Sequence, residues 1–148
     1  MEANETIDYH VKYTWHAIVN FYNSIAAQYD LSQATGYVLL NIDSKKGTPA
    51  TSIAPMLGMK TNSLSRMLKN MEDSGLICRK KSEVDGRLVN IYLTEKGSRK
   101  KEVSKEVVRE FNDFIKSHIS AEKQQVFFEV MHEIVGLTEE YRKIKKLD

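Results

Sequence analysis

Between Thr61 and Lys69 the sequence runs Thr-Asn-Ser-Leu-Ser-Arg-Met-Leu-Lys, with short hydrogen-bonding side chains ahead of two cations. Wound into a helix, Leu64, Met67, Leu68 and Met71 fall on one side. Asn62, Arg66 and Lys69 point the opposite way, with Ser63, Ser65 and Asn70 on the flanks. Such an outward face has the chemistry to read base edges in the major groove of DNA. A guanidinium grips guanine O6 and N7 together, and a carboxamide does the same on adenine. Arg66 is the strongest candidate for a base contact, with Thr61, Asn62, Ser63, Ser65 and Lys69 beside it. In isolation the same pattern describes a solvated helix face, so its setting in the chain decides.

A second group of cations follows. Leu76–Lys81 and Leu88–Leu93 are rich in β-formers and flank Ser82-Glu83-Val84-Asp85-Gly86-Arg87, which reads as a hairpin with a charged tip. Val89, Ile91 and Leu93 share one face of its second strand. Lys80, Lys81 and Arg87 bring positive charge to a narrow protrusion, suited to the enhanced negative potential of a narrow minor groove. Asp85, two residues before Arg87, is placed to orient the guanidinium by a charge-assisted hydrogen bond. The plainer alternative is that Asp85 and Gly86 serve only the geometry of the turn.

These residues need elements to position them. Val11, Trp15, Ile18, Tyr22, Ile25 and Tyr29 form one apolar stripe at helical spacing, predicting a long helix from about Ile7 to Tyr29. Ser32 is the expected cap of a second helix, with Tyr37, Val38, Leu40 and Ile42 inward and Lys45-Lys46-Gly47 ending it. Thr51 or Ser52 is expected to cap a short third helix that leaves at Gly58. Thr61 would cap a fourth that stops at Gly75. Two short helices joined by a glycine-containing turn make a helix-turn-helix. Thr94 then caps a fifth helix with Val103, Val107, Phe111, Phe114 and His118 in its stripe. Ser120 opens a sixth carrying Phe127, Met131, Ile134, Leu137, Tyr141 and Ile144. The order predicts a mainly α fold with a small β-hairpin wing, that is, a winged helix-turn-helix with helical regions contributed by both termini.

Composition agrees. The chain has 148 residues, most simply one domain over 1–148, with a lobe at 30–100 and outer helices at 5–29 and 101–146. Its net charge of +2 conceals segregation: Ser44–Lys101 carries 13 Lys/Arg against 5 Asp/Glu, a net of +8, and the remainder is −6. A basic stretch of this kind is an electrostatic footprint for a polyanion. No apolar run approaches the length of a membrane span, and the polar N-terminus reads as neither signal nor transit peptide. Cys78 is the one cysteine, which suits a cytoplasmic location.

An enzyme is not indicated. His10 and His16 are six positions apart and cannot share a metal on one helix face, and no zinc, P-loop or nucleophile-elbow motif occurs. No cofactor and no metal are expected. The other rival is a winged-helix protein-interaction module without specific DNA binding, and the cations at Arg66, Lys69, Lys80, Lys81 and Arg87 argue against it. RNA is disfavoured because the basic stretch lacks interleaved exposed aromatics.

The segments Ile53-Ala54-Pro55-Met56-Leu57-Gly58, Ser74-Gly75-Leu76-Ile77, Asp85-Gly86-Arg87 and Leu93-Thr94-Glu95-Lys96-Gly97 together resemble the MarR-type (multiple antibiotic resistance) regulators. The resemblance covers about residues 30 to 100 by motif. It implies a homodimer interlocked through helices one, five and six, placing two recognition helices and two wings on a pseudo-palindromic double-stranded DNA operator. It also implies repression relieved by a small, commonly aromatic, effector near Trp15, His16 and Tyr37. Against that effector role stands the position of Trp15 in the helix-one stripe, which reads as core. Thiol-based sensing is disfavoured: Cys78 lies on the first hairpin strand, where a buried inert thiol is expected.

Overall fold

The computed structural model describes residues 2–81 and 88–147. After a 3₁₀ turn at Ala3–Glu5 come α1 (Ile7–Ala27), α2 (Gln33–Asn41), β1 (Thr48–Pro49), α3 (Ala50–Met56), α4 (Thr61–Asp73), β2 (Ile77–Lys81), β3 (Val89–Leu93), α5 (Glu95–His118) and α6 (Ala121–Ile144). Asp85, Gly86 and Arg87 lie outside the described residues.

Helix starts follow local chemistry. The Thr6 hydroxyl accepts the Tyr9 N–H at 3.4 Å and opens α1. Ser32 caps α2 as expected, accepting the Thr35 N–H at 3.1 Å. The end of α2 comes earlier than Lys45-Lys46-Gly47, at Asn41. The cause is Asp43, whose Oδ1 accepts the N–H groups of both Lys45 and Lys46 at 2.8 Å and folds the following residues into a separate turn. These two bonds, Lys46 first, hold the Asp43 carboxyl below its ordinary range. A carboxylate depressed on folding contributes stability above its unfolded range, and that contribution is lost as pH falls through the folded value. Asp43→Asn should therefore flatten the acid limb of stability, as read by thermal melts between about pH 3 and 7. An unchanged acid limb would remove Asp43 from that role.

Two other helix starts differ from expectation. Neither Thr51 nor Ser52 caps α3: both lie inside it, Pro49 holds the cap position, and Ser52 Oγ donates back to the Pro49 carbonyl at 2.8 Å. Thr61 is the first residue of α4, with Lys60 at the cap. In the first case an unexpected strand intervenes. Thr48 and Pro49 pair with Ile91 and Asn90 and run straight into α3. The antiparallel sheet thus has order β1-β3-β2, with Ile77 opposite Leu93, Arg79 opposite Ile91 and Lys81 opposite Val89. Two residues ending on proline are too short to show a period, so β1 left no sequence signal.

The core joins α2, α3, α4 and the sheet. Val38, Leu39, Ile42, Ile53 and Ile91 are completely buried, and Leu64, Leu68, Met71, Leu76 and Ile77 nearly so. On α2 the inward side carries Leu39, whereas Tyr37 is exposed, contrary to expectation. Ile91 is the buried member of the expected β3 face; Leu93 is half-buried and Val89 exposed.

The chain divides into two compact units, residues 1–107 and 108–148. Among the described residues, no helix is long and apolar enough to cross a membrane. In the first unit, α1 has no buried residue, and Trp15, read from its stripe as core, is 51% exposed. In the second, Ser120 caps α6 as expected, accepting the Lys123 N–H at 3.4 Å, and α6 likewise buries nothing. Phe127, Leu137, Tyr141 and Ile144 are each more than half exposed.

Candidate nucleic-acid interface

The α4 face forms as its sequence dictates. Leu64, Leu68 and Met71 are 2–3% exposed, with Met67 half-buried beside them. Thr61, Asn62, Ser63, Ser65, Arg66 and Lys69 all remain exposed. The inward anchors fix the rotation of the helix, which leaves the polar side outward. The turn from α3 is closed by Gly58 N–H to the Pro55 carbonyl at 3.2 Å and Met59 N–H to the Ala54 carbonyl at 3.0 Å. One flank of α4 (Ser63, Arg66, Asn70) also lines a groove of about 630 Å³, shared with Ser32 and Thr35 and with Lys96 and Lys100 of α5.

The exit of α4 is held by an interlock of two short segments. Leu76 N–H bonds the Met71 carbonyl and Gly75 N–H the Glu72 carbonyl, both at 2.9 Å, with Gly75 in the left-handed conformation (φ 69°). This is a Schellman cap. Against it sits the start of α5. The Thr94 hydroxyl donates to the Gly75 carbonyl at 2.6 Å, and the Thr94 N–H to the Leu76 carbonyl at 3.1 Å. That hydroxyl also accepts the Gly97 N–H at 3.0 Å, which caps α5 as expected. A Cβ on Gly97 would stand 1.9 Å from the Leu76 oxygen. The Gly-Leu-Ile and Leu-Thr-x-x-Gly motifs are therefore complementary halves of one junction between α4 and α5.

The wing strands place their cations unequally. Arg79 Nε meets Glu72 Oε2 at 3.2 Å, tying β2 to the last turn of α4. The sequence carries a signal for this pair, a cation following a helix that ends in Glu72-Asp73, but Arg79 is not among the candidates read from the sequence. Lys80 lies over the Tyr92 ring, 5.3 Å from its centroid. Lys81 is exposed and, with Arg79, Leu88 and Val89 of the wing and Ala50 and Thr51 of α3, lines a hollow of about 440 Å³.

Of the residues implied for an effector, Trp15 and Tyr37 are exposed. His16 lines a shallow recess of about 440 Å³ with Tyr9, Lys12, Tyr13, Ala17 and Asn20, all from α1. Trp15 and Tyr37 are not among its walls. His10 bonds the Asn4 carbonyl at 2.8 Å and His132 Nδ1 the Phe128 carbonyl at 2.7 Å. Among the described residues no cluster of three or more His, Cys, Asp or Glu is arranged to hold a metal. Cys78 is a half-buried free thiol on β2.

A helix-turn-helix, a small antiparallel wing and long flanking helices together define a winged-helix transcription regulator, not an enzyme. Residues 20–103 match the family model for the transcriptional regulator SarA/Rot, and the chain belongs to that family. It is 33% identical over 82 residues to the HTH-type transcriptional regulator TtmR of Methylorubrum extorquens, a match spanning 55% of this chain and 42% of TtmR. It is 31% identical over 100 residues to the HTH-type transcriptional regulator SarZ of Staphylococcus aureus, covering 64% of this chain and 67% of SarZ. The transcriptional repressor CouR, solved bound to a 23-mer DNA duplex, superposes with a TM-score of 0.77 at 25% identity, over 89% of this chain and 94% of CouR. The fold is the one MarR-family regulators share.

Proposed function

We propose that the protein is a cytoplasmic, sequence-specific double-stranded DNA-binding repressor. It acts as a homodimer on a pseudo-palindromic operator, with α4 in the major groove and the wing in the minor groove. The observation that carries this reading is the α4 face: Thr61, Asn62, Ser63, Ser65, Arg66 and Lys69 stand outward over a fully committed apolar side. Lys80, Lys81 and, by sequence, Asp85 and Arg87 supply the second hold. CouR, a repressor held on a DNA duplex, supports the DNA partner and the sign of regulation. The dimer is supported by α1 and α6, long helices with apolar stripes in which no residue is buried. Relief by a small aromatic effector near Trp15, His16 and Tyr37 completes the proposal. Trp15 and Tyr37 are exposed aromatic surfaces available to such a ligand.

Fluorescence anisotropy tests the reading, using duplexes tiled across the DNA upstream of the gene and scrambled duplexes of equal composition. Specific binding should exceed binding to scrambled DNA by at least about a thousandfold at physiological salt. Equal binding to both would overturn it. Light scattering at micromolar concentration should return twice the chain mass, and a monomer there would remove the two-half-site geometry.

A further inference from the structure

The first two turns of α5 carry three lysines, and each places its ammonium on the carbonyl end of a different helix. Lys96 Nζ donates to the Ser74 carbonyl, at the C-cap of α4, at 2.9 Å. Lys100 Nζ donates to the Tyr29 carbonyl, in the turn closing α1, at 2.5 Å. Lys101 Nζ donates to the Ile42 carbonyl, at the C-cap of α2. Helix C-termini concentrate unpaired carbonyls and partial negative charge, so a cation is stabilised there. The sequence separations are 22, 71 and 59 residues, so none of these bonds is a local helix contact. Lys101 is 7% exposed, and burial, followed by repulsion from Lys105, lowers its pKa. A buried ammonium is costly unless the partner it meets is fixed.

We propose that Lys96, Lys100 and Lys101 are positioning residues for DNA recognition, pinning the C-termini of α4, α1 and α2 to one frame and so fixing the pose in which α4 meets bases. This rests on the reading of α4 as the recognition helix. The basic stretch then divides its labour: these cations face carbonyls of the protein itself, while Arg66 and Lys69 face outward. Base readout needs α4 held to a fraction of an ångström, whereas attraction to phosphates tolerates a displaced helix. Loss of a pin should therefore weaken specific binding and leave non-specific binding alone.

Lys96→Met and Lys100→Met keep the apolar stem and remove the donor, at sites outside the core. The full-length variants are measured against a duplex selected from a random library and against its scrambled form, each over a salt series. For Lys96→Met we expect about tenfold weaker binding to the selected duplex, the scale of one charge-assisted hydrogen bond. Binding to scrambled DNA and the salt slope should stay unchanged, and Lys96→Arg should restore most of the loss. Hydrogen exchange on the free protein should rise in residues 70–76 for Lys96→Met and in residues 26–31 for Lys100→Met. If both duplexes weaken together and the salt slope falls by about 0.9, the lysine is a phosphate contact and the proposal is overturned. Unchanged exchange overturns it as well. Should the wild-type protein not distinguish selected from scrambled DNA, it is the recognition-helix reading that fails. The exchange arm still reports whether the lysines hold the helix ends.

Discussion

Replacing Gly97 by alanine should cost the protein about 3 kcal/mol or more, a fall of roughly 10 °C in melting temperature for a domain of this size. The added Cβ would stand 1.9 Å from the Leu76 carbonyl oxygen, well inside any allowed contact. Neither side has room to retreat. Leu76 is fixed by its N–H to the Met71 carbonyl, and its own carbonyl accepts the Thr94 N–H. Gly97 is fixed by its N–H to the Thr94 hydroxyl. Relief would require α5 to lift from the exit of α4, breaking the Thr94 and Lys96 bonds together. Specific DNA binding should therefore decline along with stability. Denaturant or thermal unfolding reads the effect directly, and a change below about 0.5 kcal/mol would show that the junction is far softer than its geometry.

Arg66→Ala should do the reverse, sparing stability and removing function. Among the described residues Arg79, Arg99 and Arg142 each pair with a glutamate, Glu72, Glu95 and Glu139 respectively. Among the described residues no such partner holds Arg66, which is exposed and lines the groove with Ser63 and Asn70 on the flank of α4. Its removal should weaken binding to the preferred duplex by about 10- to 100-fold and relax discrimination at one base position, with unfolding free energy changed by less than about 0.5 kcal/mol. Arg66→Lys should not restore the discrimination, because a point charge cannot make the paired contact. Anisotropy titrations against duplexes substituted at each position check this, and undiminished selectivity would sink the assignment.

What is legible in the sequence depends on repetition. The α4 inward side shows four apolar residues at helical spacing, so both its rotation and its outward face follow from the residue order alone. Ser32, Thr94 and Ser120 mark helix starts because each sits immediately before a periodic run. The misses are places where one contact, local or distant, overrides a terminal signal, or where an apolar stripe is left uncovered. Thr51 and Ser52 are good caps by type, yet the pairing of Thr48 with Ile91 delivers the chain into α3 at Pro49. Lys45-Lys46-Gly47 is a sound helix ending, yet Asp43 captures two backbone amides first. Trp15 belongs to a real stripe, but a stripe says only that a surface is apolar, not that this chain covers it. Charge is the most deceptive signal. The net of +8 over Ser44–Lys101 reads as one footprint, whereas Lys96, Lys100 and Lys101 bond the protein's own carbonyls and Arg79 and Arg99 pair with glutamates.

The small sheet has a consequence for colloidal behaviour. Every open sheet offers two edges on which another chain can add a strand and begin to aggregate. Here β1 closes one edge by being two residues long and ending in Pro49, which has no amide to donate. The other edge, β2, carries Arg79, Lys80 and Lys81 in succession, so a second copy approaching edge-on meets its own charge. Lys80 and Lys81, proposed as part of the wing's hold on DNA, thus also guard it against self-pairing. A variant neutralised there to abolish DNA binding would become more prone to precipitate, a loss of solubility easily mistaken for a loss of fold.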